Sequence, residues 1–295
     1  MDLIIMSVIL ITHSRIKHPT LKFSGVWQAI VEGFLEIASR HSLRYEVFSL
    51  LRNYNDIEEY LEKVAEAISK NPDVIILPLT PKQGKYEETL IKMLDSFQGI
   101  VIAINVPPDM VFEQKLKGKL RGYVGTNEKD SGRRATRELF ASRKTFDVIY
   151  VPMDKPDHYG YSLRIQGIRE IAEEYKVPVC IIDVNDSKKT DIICKFMEQP
   201  AIISLGPVGT DFGRSLKDKY SDLSPVIVAM DLDGKTAEAI NSGEVLCTLI
   251  QHPKEQGMMA AKLAYDIVTG KESSAFTNIY CGPTIVDRNN IAIFK

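Results

Sequence analysis

The sequence predicts an α/β protein: two Rossmann-like lobes, each built on a parallel sheet. Three observations carry this. Short apolar runs alternate with segments of helical period along nearly the whole chain. The runs are continuously apolar rather than alternating, the pattern of parallel strands covered on both faces. The alternation breaks over Val106 to Gly122, which holds Pro107-Pro108 and a basic stretch, then restarts with more strands than one sheet extends to comfortably.

The elements follow in order. Val8 to Thr12 is the first strand. A helix follows from about Ser24, an N-cap residue type, to His41, with Trp27, Ile30, Val31, Phe34, Leu35 and Ala38 on one face. Tyr45 to Leu50 is a strand, Asp56 to Lys70 a helix, Val74 to Pro78 a strand, Tyr86 to Ser96 a helix and Ile100 to Ile104 a strand. After the break, strands are expected at Asp147 to Val151, Val179 to Val184, Ala201 to Leu205, Val226 to Met230 and Leu246 to Ile250. Helices are expected at Ser131 to Ser142, Tyr161 to Tyr175, Lys189 to Glu198 and Thr210 to Tyr220, with a short one ending at Gly243. Pro253 opens a long last helix at its first position, and Gly270 ends it. Thr277 to Ile293 holds short apolar pieces around Gly282-Pro283. The halves share a βα pattern but no readable repeat of residues.

A length of 295 residues suits two domains better than one. The net charge of -2 argues against a nucleic-acid face. Leu3 to Thr12 is apolar, but Asp2 precedes it and His13, Ser14, Arg15 and Lys17 follow. A buried first strand is expected there rather than a secretory signal or a membrane span. Cys180, Cys194, Cys247 and Cys281 show no CxxC spacing, so free thiols are expected and a zinc framework is not.

Catalytic signatures are missing. There is no GxSxG, no HExxH, no GxGxxG after the first strand and no paired Cys/His arrangement. Gly206-Pro207-Val208-Gly209 lacks the GK[ST] of a phosphate loop. Asp231-Leu232-Asp233-Gly234 is a fragment of a calcium loop, but Ala229 and Ile240 break the fuller pattern. No enzyme activity, cofactor or metal is expected. The basic residues His13, Arg15, Lys17 and His18 admit either a solvated loop or a ligand bearing phosphate or carboxylate.

Asp231 and Gln251 stand just past two strand-like runs. Ligands bind outside the carboxyl ends of strands in open α/β sheets, and a carboxylate with an amide there can hydrogen-bond hydroxyl groups. The alternative for Asp231 is capping the next helix; for Gln251 it is simple exposure. Arg164 begins a helix, where the dipole disfavours a cation, so either a ligand oxygen or a surface salt bridge accounts for it. Trp27 offers a flat face to a ligand or fills the core. Tyr161, near Gly160, is a candidate lining residue, and Gly206 is a candidate for backbone contact. Ser14 and Asn105 complete the candidates, at the ends of the first and fourth strands.

Several segments together resemble a known family. They are the strand ending in Asp231, the helix ending Asn241-Ser242-Gly243, and the strand ending Gln251-His252-Pro253 with Gly257. Tyr123-Val124-Gly125-Thr126-Asn127 with Ser131-Gly132-Arg133, Arg164-Ile165-Gln166-Gly167-Ile168 and Trp27 through Gly33 add to them. In this order they resemble type I periplasmic binding proteins of the sugar-binding kind, whose fold is shared by the ligand-sensing domains of LacI-type repressors. The resemblance implies lobes of 1–125 plus 252–280 and 126–251 plus 281–295, joined by a three-segment hinge and closing over a ligand in the cleft. It implies that Asp231 accepts from ligand hydroxyls, that Gln251 binds a hydroxyl pair and that Trp27 packs on a sugar ring. Two departures stand out: Asn105-Val106 replaces the family's Asp-Arg, and Gly206-Pro207 replaces its Asn-Asp. The implied function is a monomeric, non-catalytic solute-binding protein, periplasmic or extracytoplasmic, with a sugar-like ligand and a membrane permease or receptor as partner. The alternative is a LacI-type effector module; with no helix-turn-helix before Val8, this chain is not expected to bind nucleic acid by itself.

Overall fold

The structure is a computed structural model of the chain. It describes residues 6–12, 25–50, 56–80, 85–142, 145–154, 156, 158–188, 190, 200–206, 208–219, 224–271 and 275–294. The chain divides into two compact units, Met1–Thr126 with His252–Cys281 and Asn127–Gln251 with Gly282–Lys295. It therefore passes from one to the other after Thr126, after Gln251 and after Cys281.

In the first unit the elements run β1 (Ser7–Thr12), α1 (Val26–Arg40), β2 (Arg44–Ser49), α2 (Ile57–Ser69), β3 (Val74–Leu77), α3 (Lys85–Ser96), β4 (Ile100–Asn105), α4 (Met110–Lys115) and β5 (Leu120–Gly125). In the second they are α5 (Glu128–Ala141), β6 (Ile149–Met153), α6 (Tyr159–Glu174), β7 (Val179–Asp183), β8 (Ala201–Ile203), α7 (Val208–Lys219), β9 (Val226–Met230), α8 (Gly234–Ser242) and β10 (Cys247–Ile250). The chain then returns for α9 (Pro253–Val268) and β11 (Thr277–Tyr280), and ends in the second unit with β12 (Thr284–Asp287) and a short 3-10 turn, Ile291–Phe294.

Each unit holds one sheet of six described strands, ordered β11-β5-β4-β3-β1-β2 in the first and β12-β10-β9-β8-β6-β7 in the second. Strand for strand, β1 to β5 correspond to β6 to β10. All described pairings are parallel except β10 with β12, which is antiparallel. Parallel strands must be covered on both faces, and each sheet has a buried apolar cluster on either side. Leu10, Ile76 and Ile102 pack under α1 and α9, while Ile9, Ile75 and Val101 lie on the opposite side with Tyr60 and Phe97. Val151, Ile203 and Val228 lie with Leu139 and Ile168, and Ile202, Ile227 and Ala229 with Leu216 and Ile240.

Capping explains several helix starts. Asp56, Asp109, Asn127 and Asp233 accept from backbone N–H groups of the first turns of α2, α4, α5 and α8. The cap of α8 is thus Asp233, not Asp231. Pro253 opens α9 at its first position, and Gly270 follows it with φ +72°. Gly25 stands at the cap position of α1, and the expected cap, Ser24, lies outside the described residues.

The interruption expected over Val106 to Gly122 holds α4 and the first half of β5. Leu-Arg-Gly-Tyr-Val-Gly carries an Arg and two glycines, which hide a central strand from an apolar count. Helices α5 and α6 begin earlier than their apolar periodicity, at Glu128 and Tyr159, because their first turns are polar and capped. The helix expected at Lys189 to Glu198 falls almost wholly outside the described residues.

One packing device recurs in both units. Helices α1 and α9 touch backbone to backbone. A Cβ placed on Gly33 would fall 1.9 Å from the Lys254 carbonyl oxygen, and one on Gly257 would fall 1.8 Å from that of Ile30. Helices α5 and α6 repeat this: a Cβ on Gly132 would fall 2.0 Å from the Arg164 oxygen, and one on Gly167 2.0 Å from the Lys129 oxygen. In all four helices the contacting carbonyl stands three residues before the helix's own glycine.

Cys247 and Cys281 are buried free thiols and Cys180 is partly exposed; Cys194 lies outside the described residues. Burial pushes the Cys247 and Cys281 thiols up to about 12. Both should therefore resist a disulfide reagent at pH 8 until denaturant is added, a difference read from thiol release with time. Gly257→Ala should lower stability by about 1–3 kcal/mol in urea unfolding, since the added methyl forces the helices apart. Gly270→Ala, where nothing lies within 4 Å, should cost about 1 kcal/mol or less, from φ alone.

Candidate functional site

The second unit gathers most of the expected site residues at the carboxyl ends of its strands. Asp154 follows β6, Ser204-Leu205-Gly206 follows β8, Asp231 follows β9 and Gln251 follows β10. The starts of α5 and α6 add Glu128, Tyr161 and Arg164.

Asp231 is held in a left-handed conformation, φ +70°, which an Asp tolerates better than most residues. Its N–H donates to the Leu249 carbonyl at 2.9 Å, its carbonyl accepts from the Thr248 hydroxyl at 2.7 Å, and its Oδ1 accepts from Gln251 Nε2 at 2.5 Å. Strands β9 and β10 thus lock a turned-out carboxylate beside an amide. Thr248 matters because its hydroxyl satisfies the carbonyl that leaves the ladder at the turn.

Arg164 is buried, and so is Glu128; their side chains are 4% and 3% exposed. Arg164 Nε donates to Glu128 Oε2 at 2.5 Å, and Nη1 donates to the Leu205 carbonyl. The arginine therefore makes a salt bridge within the unit, as one of the two sequence readings had it, but a buried one rather than one at the surface. Burial pushes the Glu128 carboxyl up; Arg164 opposes this and the charge of Asp231 adds to it. Burial also disfavours the Arg164 cation, but the Glu128 carboxylate outweighs it and the guanidinium is held more firmly protonated than usual.

Tyr161 is buried against this pair. Its ring lies 5.6 Å from the Arg164 guanidinium carbon and 4.5 Å from the His158 ring. Its N–H donates to His158 Nδ1 at 3.3 Å, the cap of α6. Burial raises its phenol well above the usual range. Gly206 is required here: a Cβ on it would stand 2.5 Å from the Tyr161 hydroxyl. Its N–H donates to Ser204 Oγ at 3.3 Å.

The first unit places Asn105 at the end of β4, the strand matching β9, again left-handed, with φ +64°. Asn105 Nδ2 donates to Oε1 of the buried Gln256 at 3.2 Å. The Tyr123 hydroxyl lies 3.1 Å from both the Asn105 and the Thr126 carbonyl oxygens. A Cβ on Gly125 would fall 2.1 Å from that hydroxyl, so this glycine too makes room for a tyrosine. Trp27 is half-buried in the first turn of α1, against the cluster under α1 and α9. Ser14 lies outside the described residues, as do His13, Arg15, Lys17 and His18.

Reasoning from sequence did not find Glu128, Asp154 or Ser204 in the second unit, nor Tyr123 and Gln256 in the first. A signal for Glu128 exists: an acid in the first turn of a helix that also carries an Asn cap. Its partner is 36 residues away, so the pairing itself leaves no local trace. Among the described residues no His, Cys, Asp and Glu group of three or more is arranged to hold a metal ion. No described helix is long and apolar enough to cross a membrane.

Two α/β units of equal strand order, each presenting polar side chains at the carboxyl edge of its sheet, define a class of two-unit α/β proteins. A family model described as a periplasmic binding protein domain matches residues 20–272, and the chain belongs to that family. Its fold is similar to that of a glucose-galactose binding protein from Geobacillus stearothermophilus, with TM-score 0.80 at 18% identity over 97% of this chain and 98% of the other. A solute-binding protein of an ABC transporter from Burkholderia graminis, in complex with D-arabinose, matches with TM-score 0.77 at 16% identity, over 97% and 96% of the two chains. A putative LacI transcriptional regulator from Bacteroides fragilis matches with TM-score 0.72 at 16% identity, over 98% and 99%. No curated protein sequence matches the chain.

Arg164→Met should destabilise the protein by about 3–5 kcal/mol in urea unfolding, because it strands a buried carboxylate. Adding Glu128→Gln to it should restore part of that loss.

Proposed function

We propose that this protein is a non-catalytic solute-binding protein for one small, polar, sugar-like molecule, which it releases unaltered to a membrane permease or a signalling receptor outside the cytoplasm. The observation that carries the proposal is the matched pair Asn105 and Asp231. At the third strand from the same edge of each sheet, the residue past the apolar run turns left-handed with an Asn or Asp side chain. Such conformations cost of order 1 kcal/mol or more and cluster at binding sites. Asp231 brings acceptor oxygens and Gln251 brings both donor and acceptor, which suits hydroxyl pairs. Trp27 and Tyr161 complete the proposed binding set, with Arg164 behind Tyr161 in its ion pair with Glu128, Gly206 giving Tyr161 its room, and Ser14 in the segment after β1.

The names of the similar structures support the reading: a glucose-galactose binding protein and a D-arabinose complex. A XylFII-LytSN complex, at TM-score 0.73 and 17% identity, is also similar in fold and leaves room for a protein partner other than a permease. The LacI-like neighbour favours a second reading, an effector-sensing module of a transcription regulator. Cell fractionation separates the two: the first expects the native protein outside the cytoplasm, the second inside it and bound to a DNA-reading segment or partner.

A melting-temperature screen with D-glucose, D-galactose, D-arabinose, D-ribose and D-xylose should find at least one stabilising sugar, because a ligand bound by the native state raises the transition by linkage. Calorimetric titration of that sugar into Asp231→Ala should show affinity weakened by roughly 1–3 kcal/mol. Unaltered affinity removes Asp231 from the site, and turnover of the sugar rejects the non-catalytic reading.

A further inference from the structure

Resting on the solute-binding reading, we infer that Glu128 is a positioning residue that sets the charge class of the ligand. By holding and neutralising Arg164, it leaves the carboxyl edge of the second sheet suited to a polyhydroxylated solute that is uncharged or carries an ammonium group. Sugar acids and sugar phosphates are turned away.

The argument starts from the guanidinium fork. An arginine recognises a carboxylate or phosphate by presenting two parallel N–H groups. Here the Nε group is taken by Glu128 Oε2 at 2.5 Å and Nη1 by the Leu205 carbonyl. Both side chains of the pair are nearly sealed from solvent, so the cancellation of charge is not diluted by water. Glu128 stands in the first turn of α5, where a helix favours an anion, and Arg164 is the sixth residue of α6, past its first turn. Held by that carboxylate and by the Leu205 carbonyl, the arginine becomes a scaffold group.

With Arg164 neutralised, acceptors dominate what remains. Asp231 and Asp154 both lie near enough for their charges to act on the Tyr161 hydroxyl, and Asp231 acts on Glu128 and Arg164 as well. Among the described residues of this cluster, the carboxylates of Glu128 and Asp231 act on the one guanidinium, and that of Asp154 acts on Tyr161 beside it. His158 Nδ1 accepts from the Tyr161 N–H. An incoming anion meets repulsion from Asp231, whereas a hydroxyl or an ammonium finds an acceptor. Like-charge rejection of this kind is how a site excludes a close analogue.

The test uses matched sugars: D-galactose, D-galactosamine and D-galacturonate; D-glucose, D-glucosamine, D-glucuronate and D-glucose 6-phosphate. Each is titrated calorimetrically into the wild-type chain and into Glu128→Gln, with Glu128→Asp as the conservative control. In the wild type, the neutral or amino member of the bound set should exceed its acid or phosphate in affinity by at least tenfold. Glu128→Gln should narrow that ratio at least tenfold, because the Arg164 charge is then left without a compensating carboxylate, and Glu128→Asp should restore it. A merely structural Glu128 would weaken every member alike and leave the ratio unchanged, which overturns the inference. Preference of the wild type for the acid or phosphate overturns it too, while the solute-binding reading stands. Binding of none of these sugars, nor of any in the wider screen, overturns both. Should Glu128→Gln fail to fold, Asp231→Asn takes its place: a narrowed ratio supports the inference, since Asp231 is then the charge that repels an anion beside a neutralised Arg164, and an unchanged ratio overturns it.

Discussion

In each unit two helices lie so close that backbone touches backbone, and the approach exists because glycine stands at the crossing on both sides. Gly33 and Gly257 serve α1 and α9; Gly132 and Gly167 serve α5 and α6. A mid-helix glycine costs about 1 kcal/mol relative to alanine, so four of them represent a real sacrifice of local stability. The return is geometric. Helices whose axes approach this closely have little freedom to slide, and the side chains flanking each glycine are set in register. In the second unit the crossing presses the Arg164 carbonyl toward Gly132. Glu128 stands four residues before that glycine, about one turn away, at the end of α5 where it reaches the Arg164 guanidinium. The buried ion pair is thus a consequence of the helix crossing, not a separate accident of folding.

That pair decides the electrostatics of the surrounding edge. Removing two charges from water costs several kcal/mol per ion, and the unit recovers this through a short charged contact and a backbone acceptor, the Leu205 carbonyl. The same residues then explain their neighbours. Tyr161 lies against the guanidinium, which leaves room at position 206 for glycine alone. Asp231 remains as the carboxylate turned outward by its backbone, with Gln251 beside it. Acidic and basic groups are therefore sorted by depth: the paired charges lie inside the wall and the partly exposed carboxylate at its rim.

The strands of both sheets were largely legible because parallel strands leave long apolar runs, and Asp231 and Gln251 were legible as strand-end residues because the runs stop at them. Strand β5 was not, since Arg121, Gly122 and Gly125 dilute its apolar character; Gly122 is crowded by Leu263 and by the Thr277 backbone, so a tertiary contact rather than strand preference selects it. Arg164 was singled out as a cation at a helix start, but α6 begins at Tyr159 because of its polar, capped first turn, so the arginine is the sixth residue and its burial, not the helix end, is what calls for a partner. That partner, Glu128, was not legible, because it is supplied by another helix. The common βα pattern of the halves was legible, but their matching strand orders and glycine crossings were not. Matching strand orders and matching glycine crossings do not require matching residues, only small ones where backbones meet and apolar ones where strands lie. The basic loop around Ser14 falls outside the described residues, so its bearing on ligand charge rests with the sugar titrations.

The two units depart from their common plan where chemistry would require it. The left-handed strand-end residue is a neutral amide in the first unit and a carboxylate in the second, although both backbones turn the same way. Asn105 is tied to Gln256, an amide on the helix that follows the second crossing of the chain, and Tyr123 binds the Asn105 carbonyl and that of Thr126, the last residue before the first crossing. The position of Asn105 is therefore coupled to the two segments that carry the chain between units. Asp231, by contrast, is tied to Gln251, the last residue before the second crossing. In both units the left-handed strand-end side chain is bonded to a residue at or a few positions past the second crossing, Gln251 for Asp231 and Gln256 for Asn105. A solute that displaced either bond would act directly on the backbone that joins the units, which is the mechanical requirement for a binding event to be felt beyond the site.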